Sequence, residues 1–161
     1  MATPAIADDV RIDAGSVEDI DAVMTVMDGA FGKKFGEAWS RSQLIGILPM
    51  AGVSLMLAWE RQSRSAVGFS LFRTVADEAE LLLIAVLPSH HRRGIGRRLL
   101  EQFMTRSRED QVERVHLEVR DGNPAVAMYR SAGFSPVGRR RNYYQSADGK
   151  RFDAITLALQ L

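Results

Sequence analysis

The chain of 161 residues has no cysteine. Disulfides, thiolate metal ligands and a cysteine nucleophile are thereby excluded, and a reducing compartment is the expectation. Neither sign of charge is in excess: 21 Lys and Arg stand against 20 Asp and Glu, a formal net charge of +1. A general nucleic-acid binder would carry a strong basic bias, so no direct nucleic-acid partner is expected. Basic residues do cluster locally, at 91–98 and 139–141. No apolar run reaches the ~20 residues needed to span a bilayer. Asp8 and Asp9 sit where a secretory leader would need an apolar segment. A soluble, cytoplasmic protein without a membrane partner is expected. No internal repeat, low-complexity tract or linker interrupts the chain, which reads as a single domain over 1–161. Its apolar residues, 46% of the total, suffice for a substantial core.

What is present has α/β periodicity. Residues 10–14 form a first strand, and Ser16 caps a helix whose apolar stripe is Ile20, Val23, Met24 and Met27. Ser40 starts a second, short helix that ends near Pro49. Strands over 53–60 and 66–75 flank a polar turn at 61–65, a hairpin signal. Another strand covers 80–87. A helix then sets Ile95, Leu99, Leu100, Phe103 and Met104 on one face. A strand over 112–120 follows. Asn123-Pro124 begins a helix that Gly133 ends. Strands over 134–143 and 154–159 close the chain around the turn 147–149. The order β-α-α-β-β-β-α-β-α-β-β implies a mixed α/β sheet with helices on both faces.

The most informative stretch is 81–100. A dense apolar strand stops at Pro88, a basic loop with Gly94 and Gly96 follows, and a helix begins. Converging backbone amides, a helix N-terminus with about half a positive charge, and Arg92, Arg93, Arg97 and Arg98 make an anion pocket suited to phosphate. Gly-x-Gly alone is weak. A dinucleotide fold wants a third glycine where Leu99 stands, and a Walker loop wants Gly-Lys-Ser/Thr. A tight turn with solvated arginines remains an alternative.

Two further residues carry chemistry. Alternation over 115–120 puts Val115, Leu117 and Val119 on one face and His116, Glu118 and Arg120 on the other. A carboxylate on a central strand needs a partner or a polar cleft. Glu118 is therefore either salt-bridged to Arg120 or Arg114, or functional. Tyr129, in the short helix after Asn123, is either a packing aromatic or a group aimed at the sheet ends. His90 and His91 are adjacent and His116 stands apart, so no metal site is expected.

Taken together, the ordered set resembles the GNAT superfamily of acetyl-CoA-dependent N-acetyltransferases. It comprises Ile84-Ala85-Val86, Arg92-Arg93-Gly94-Ile95-Gly96-Arg97, Leu117-Glu118-Val119-Arg120, Asn123, and Tyr129 followed by Gly133-Phe134. The resemblance is strong over about 70–161. The tail, Arg140-Arg141-Asn142-Tyr143-Tyr144 with Asp148-Gly149 and Asp153-Ala154, is similar to the branch that acetylates the N-terminal alanine of a small-subunit ribosomal protein. The resemblance implies a mixed, mostly antiparallel sheet splayed between the fourth and fifth strands, with helices on both faces. It implies that Ile84, Ala85 and Val86 pair with the pantetheine arm of acetyl-CoA. By the same resemblance, amides of Arg92, Arg93, Gly94, Ile95, Gly96 and Arg97 hold its pyrophosphate and Asn123 touches it. Glu118 is then the general base, Tyr129 the general acid, and the N-terminal segment of a ribosomal protein the partner. Two positions depart from the pattern. His91 stands where Gln or Arg is usual, and Leu83 where close relatives often have Asn. Another amine substrate, or a non-catalytic acyl-CoA-binding module, are the competing readings.

Overall fold

The computed structural model describes residues 9–161. Strand β1 (Val10–Gly15) runs into a 3-10 turn, Val17–Asp19, that continues as α1 (Ile20–Phe31). Ser16 caps the turn rather than the helix itself: its hydroxyl accepts from the Glu18 amide while the Asp19 carboxylate accepts from the Ser16 amide. Helix α2 (Arg41–Ile47) starts at Ser40 as expected. The Gln43 amide donates to the Ser40 hydroxyl at 3.2 Å, and the Ser40 amide to the Gln43 side chain at 2.7 Å. There follow β2 (Val53–Glu60), β3 (Ala66–Val75), β4 (Glu78–Val86), α3 (Ile95–Glu109), β5 (Arg114–Arg120), α4 (Val126–Ser131), β6 (Ser135–Gln145) and β7 (Arg151–Gln160).

The element order is the expected one, with shifted edges. β5 begins at Arg114, and the regular turns of α4 begin three residues after Asn123. Asn123 and Pro124 form a turn instead, in which the Asn123 side-chain oxygen accepts from the Ala125 amide at 2.9 Å.

Seven strands make one sheet in the order β1-β2-β3-β4-β5-β7-β6. Every pairing is antiparallel except β4 with β5. That parallel pairing runs only from Glu78↔Arg114 to Leu81↔Leu117. Beyond it the two strands part, which is the splay the resemblance implies. A bulge marks the same level: Leu71 opposes Leu83 and Phe72 opposes Leu81, so Leu82 has no partner on β3. An extra residue inverts the alternation that follows it. Ala79 and Leu81 accordingly join the core under α3, whereas Leu83 and Ala85 join the core under α1 and α2.

Each face has its own cluster. Leu99, Leu100 and Phe103 of α3 pack on Phe72 and Leu117; Val23, Val26 and Met27 of α1 and Leu44 of α2 pack on Phe69 and Leu71. Burial on both faces holds the sheet rigid below the splay, so the groups at its mouth sit on fixed supports.

Candidate active site

The loop between β4 and α3 is wound for converging amides. Arg92 (φ +62°) and Gly94 (φ +75°) are left-handed, the alternation that turns successive N–H groups inward. A 3-10 turn, Pro88–His90, leads in, and His91 donates from Nε2 to the Val86 carbonyl at 2.8 Å. Arg98 is the first amide of α3 to bond back, to the Gly94 carbonyl at 3.0 Å. The amides of Ile95, Gly96 and Arg97 therefore have no intrahelical acceptor. A Cβ at Gly96 would meet only ordinary contacts, Met128 Sδ at 3.4 Å being the nearest. The protein's own packing does not demand glycine there; close approach of a ligand would. Arg92, Arg93 and Arg97 are exposed around the loop. Arg98 is a correction to the expected pocket, because its guanidinium donates to the Val10 carbonyl at 2.8 Å.

The open edge of β4 adjoins this loop. The Leu87 amide donates to Val67 on β3, so by strand alternation the N–H and C=O of Val86 face the other way, into the splay. His91 takes the carbonyl, leaving the amide. Between the parted strands lies a cleft lined by Leu81, Leu82, Leu83 and Ile84 of β4 and by Leu117, Glu118 and Val119 of β5. Phe31, Glu37, Asn123, Tyr129 and Tyr144 complete it.

Alternation on β5 is as expected, and Glu118 faces this cleft. Its ion-pair partner is Arg140 of β6, at 2.7 Å from Oε1, not Arg120 or Arg114. Arg114 pairs with Glu78 at 3.5 Å and Arg120 with Glu37 at 3.1 Å. The second oxygen of Glu118 is buried without a hydrogen-bond partner among the described residues. Burial raises the Glu118 carboxyl above the ordinary glutamate value; Arg140 pulls it down, nearby Glu80 adds to the rise, and His116 opposes it. Tyr129 is 4% exposed and meets Phe134 edge to face, ring centroids 6.1 Å apart. Burial first, then Tyr144 and Glu37, push its hydroxyl well above the usual tyrosine value. Asn123 has its amide nitrogen on Glu37 at 2.9 Å and its oxygen on the Ala125 amide.

Two groups lining the cleft, Glu37 and Tyr144, are given no role by the sequence motifs, and Arg140 reaches Glu118 from β6. Tyr144 is aimed inward by a wide bulge, where the register jumps from Arg140↔Ala154 to Tyr144↔Phe152. Asn142 makes that bend at φ +53°, with its amide donating to the Asp153 carboxylate at 2.9 Å. Asn is the residue type that tolerates such a φ, so Arg-Asn-Tyr-Tyr carried a usable signal. Glu37 carried none, being brought to Arg120 and Asn123 across more than 80 residues of sequence. Of the other basic residues, Arg139 is held by Asp121 and Asp153 at 2.8 and 2.9 Å. No His, Asp and Glu cluster among the described residues is placed to hold a metal, and none of their helices is long and apolar enough to cross a membrane.

Comparison with known proteins agrees with this geometry. Residues 21–134 match the acetyltransferase (GNAT) family. The [ribosomal protein bS18]-alanine N-acetyltransferase of Haemophilus influenzae is 37% identical over 100 residues, 62% of this chain and 68% of that protein. Its counterpart in Escherichia coli is 42% identical over 101 residues, again 62% and 68%. The crystal structure of the ribosomal-protein-S18-alanine N-acetyltransferase from Escherichia coli superposes with a TM-score of 0.83 at 32% identity, covering 94% of this chain and 93% of that one. A splayed sheet, an amide-lined glycine loop and a carboxylate in the cleft thus stand in a chain that belongs to the GNAT family of acetyltransferases.

Proposed function

We propose that this acetyltransferase transfers the acetyl group of acetyl-CoA to the α-amino group of an N-terminal alanine on a small-subunit ribosomal protein, in the cytoplasm. Relatives named for that reaction, at 37% and 42% identity, support the acceptor. The observation that carries the chemistry is Glu118, largely buried in the splay with one oxygen unpartnered.

Acetyl-CoA supplies an activated acetyl group as a thioester. Amides of Arg92, Arg93, Gly94, Ile95, Gly96 and Arg97 suit its pyrophosphate, and the open edge at Ile84 and Val86 suits its pantetheine arm; Ala85 is a correction, because by the same alternation its backbone groups face Phe69 of β3. The Val86 amide is free to donate toward charge developing on the thioester oxygen. Asn123, committed to Glu37 and Ala125, can still offer its remaining N–H and the second lone pair of its side-chain oxygen.

An α-amino group, pKa about 7.7–8.0, is mostly protonated at neutral pH and must lose a proton before it attacks. Glu118 takes that proton, directly or through one water. Its raised pKa brings it closer to the ammonium it must deprotonate. Tyr129 is better matched to donating a hydrogen bond than to giving up a proton. An ordinary tyrosine near pKa 10 is already a weaker acid than a thiol near 8.5, so full transfer costs roughly 2 kcal/mol. Burial of Tyr129 increases that cost. It therefore stabilises the departing sulfur as a donor while the C–N bond forms and the C–S bond breaks, and the second proton shed by the nitrogen passes through water to the thiolate.

A non-catalytic acyl-CoA-binding module is disfavoured by the same carboxylate, since binding alone gives no reason to bury one in the cleft with an oxygen left unbonded. The test uses two peptides that share an internal lysine, one with a free N-terminal alanine and one acetylated there. Thiol release with the free peptide only is expected. Equal release from both, or better use of a polyamine, would overturn the acceptor; acetyl-CoA binding without amine-dependent release would overturn the enzyme.

A further inference from the structure

Residues 32–40, between α1 and α2, bring Glu37 to the wall of the cleft and are held by five contacts. Arg120, 7% exposed as a residue, donates from Nε to Glu37 Oε1 at 3.1 Å, and its guanidinium lies 3.5 Å from the centre of the Phe35 ring. The other Glu37 oxygen accepts from Asn123 Nδ2 at 2.9 Å. Phe35 meets Phe152 of β7 edge-on at 5.2 Å. Gly36, at φ +71°, lies so close to β6 that a Cβ would come within 1.9 Å of the Gln145 carbonyl. This wall is thereby tied to β5, which carries Glu118, to the turn ahead of α4, which carries Tyr129, and to β6, which carries Tyr144.

A buried ion pair is weak evidence for stability, because removing two charges from water costs about as much as their attraction returns. Placed at a cleft it is well suited to another task, since loss of either partner leaves a buried charge and forces the segment to move. We propose that Glu37 is a positioning residue for the acceptor: by holding Arg120 with one oxygen and Asn123 with the other, it fixes the acceptor-side wall at the distance that lets an incoming amine reach Glu118. The inference rests on the acetyl-transfer reading above. It adds that one carboxylate, remote in sequence from every motif of the fold, sets acceptor affinity.

The test compares the parent with Glu37→Gln, which keeps the shape and removes the charge. KM for the alanine peptide is expected to rise roughly tenfold or more, the scale on which small misplacements act, while KM for acetyl-CoA stays within about twofold. Cleavage by trypsin after the exposed Lys33 and Lys34, followed by mass spectrometry, is expected to accelerate in parallel. Should Glu37→Gln fold poorly, Phe35→Leu loosens the same wall without stranding a charge and is expected to shift both readouts in the same direction by less. An unchanged peptide KM and cleavage rate, or an equal rise in both KM values, would overturn the latch. A parent enzyme that acetylates some other amine would overturn the acceptor reading instead, and the latch would then be tested with that amine.

Discussion

The two sides of the cleft are built on different principles. The side facing the anion loop is backbone: amides of 92–97, the open edge of β4, and glycines at Gly94 and Gly96. The facing side is made of side chains, Glu37, Glu118, Tyr129, Arg140 and Tyr144, drawn from a loop, two strands and a helix. A backbone site presents the same groups whatever the side chains are, so it suits an invariant coenzyme. A side-chain site can be re-cut for a different acceptor while the backbone half stays as it is.

Substitutions should therefore separate the two halves. The largest effect is expected for Glu118→Gln, with kcat lower by about 10²–10⁴ and acetyl-CoA affinity by calorimetry little changed; equal loss of both would merge the halves. Next, Gly94→Ala forces a side chain into a left-handed conformation that costs roughly 1–2 kcal/mol. It should raise the acetyl-CoA KM about tenfold while the peptide KM holds. Tyr129→Phe should lower kcat by roughly tenfold, the scale of a hydrogen bond to a charged group, with acetyl-CoA affinity retained. Equal effects on turnover and affinity would reduce Tyr129 to a shaping residue. The smallest change is expected for Arg140→Gln. Arg140 lowers the Glu118 pKa, so its loss lets that pKa climb. Glu118 is then protonated over a wider range, and the acidic limb of the kcat profile should move to higher pH. Because Arg140 is exposed, plateau kcat should stay within about twofold.

The same division explains what was legible in the sequence. Gly94, Gly96 and the strand before them are a contiguous motif whose geometry follows from local rules, and it could be read residue by residue. Strand alternation likewise put Glu118 on the correct face. Its partner could not be read: Arg140 reaches Glu118 only because β7 sits between β5 and β6, a long-range fact of topology. Arg98 misled because a helix start says where amides point and nothing about where a long side chain goes. Glu37 was invisible for a related reason, since its partners lie 83 and 86 residues away.

The most direct test is a crystal structure with a bisubstrate ligand, coenzyme A joined through an acetyl bridge to the nitrogen of an alanine peptide. The diphosphate should rest on the amides of 92–97, with the peptide nitrogen within one hydrogen bond, or one water, of Glu118. A diphosphate bound elsewhere, or a nitrogen screened from Glu118 by Arg140, would contradict this account.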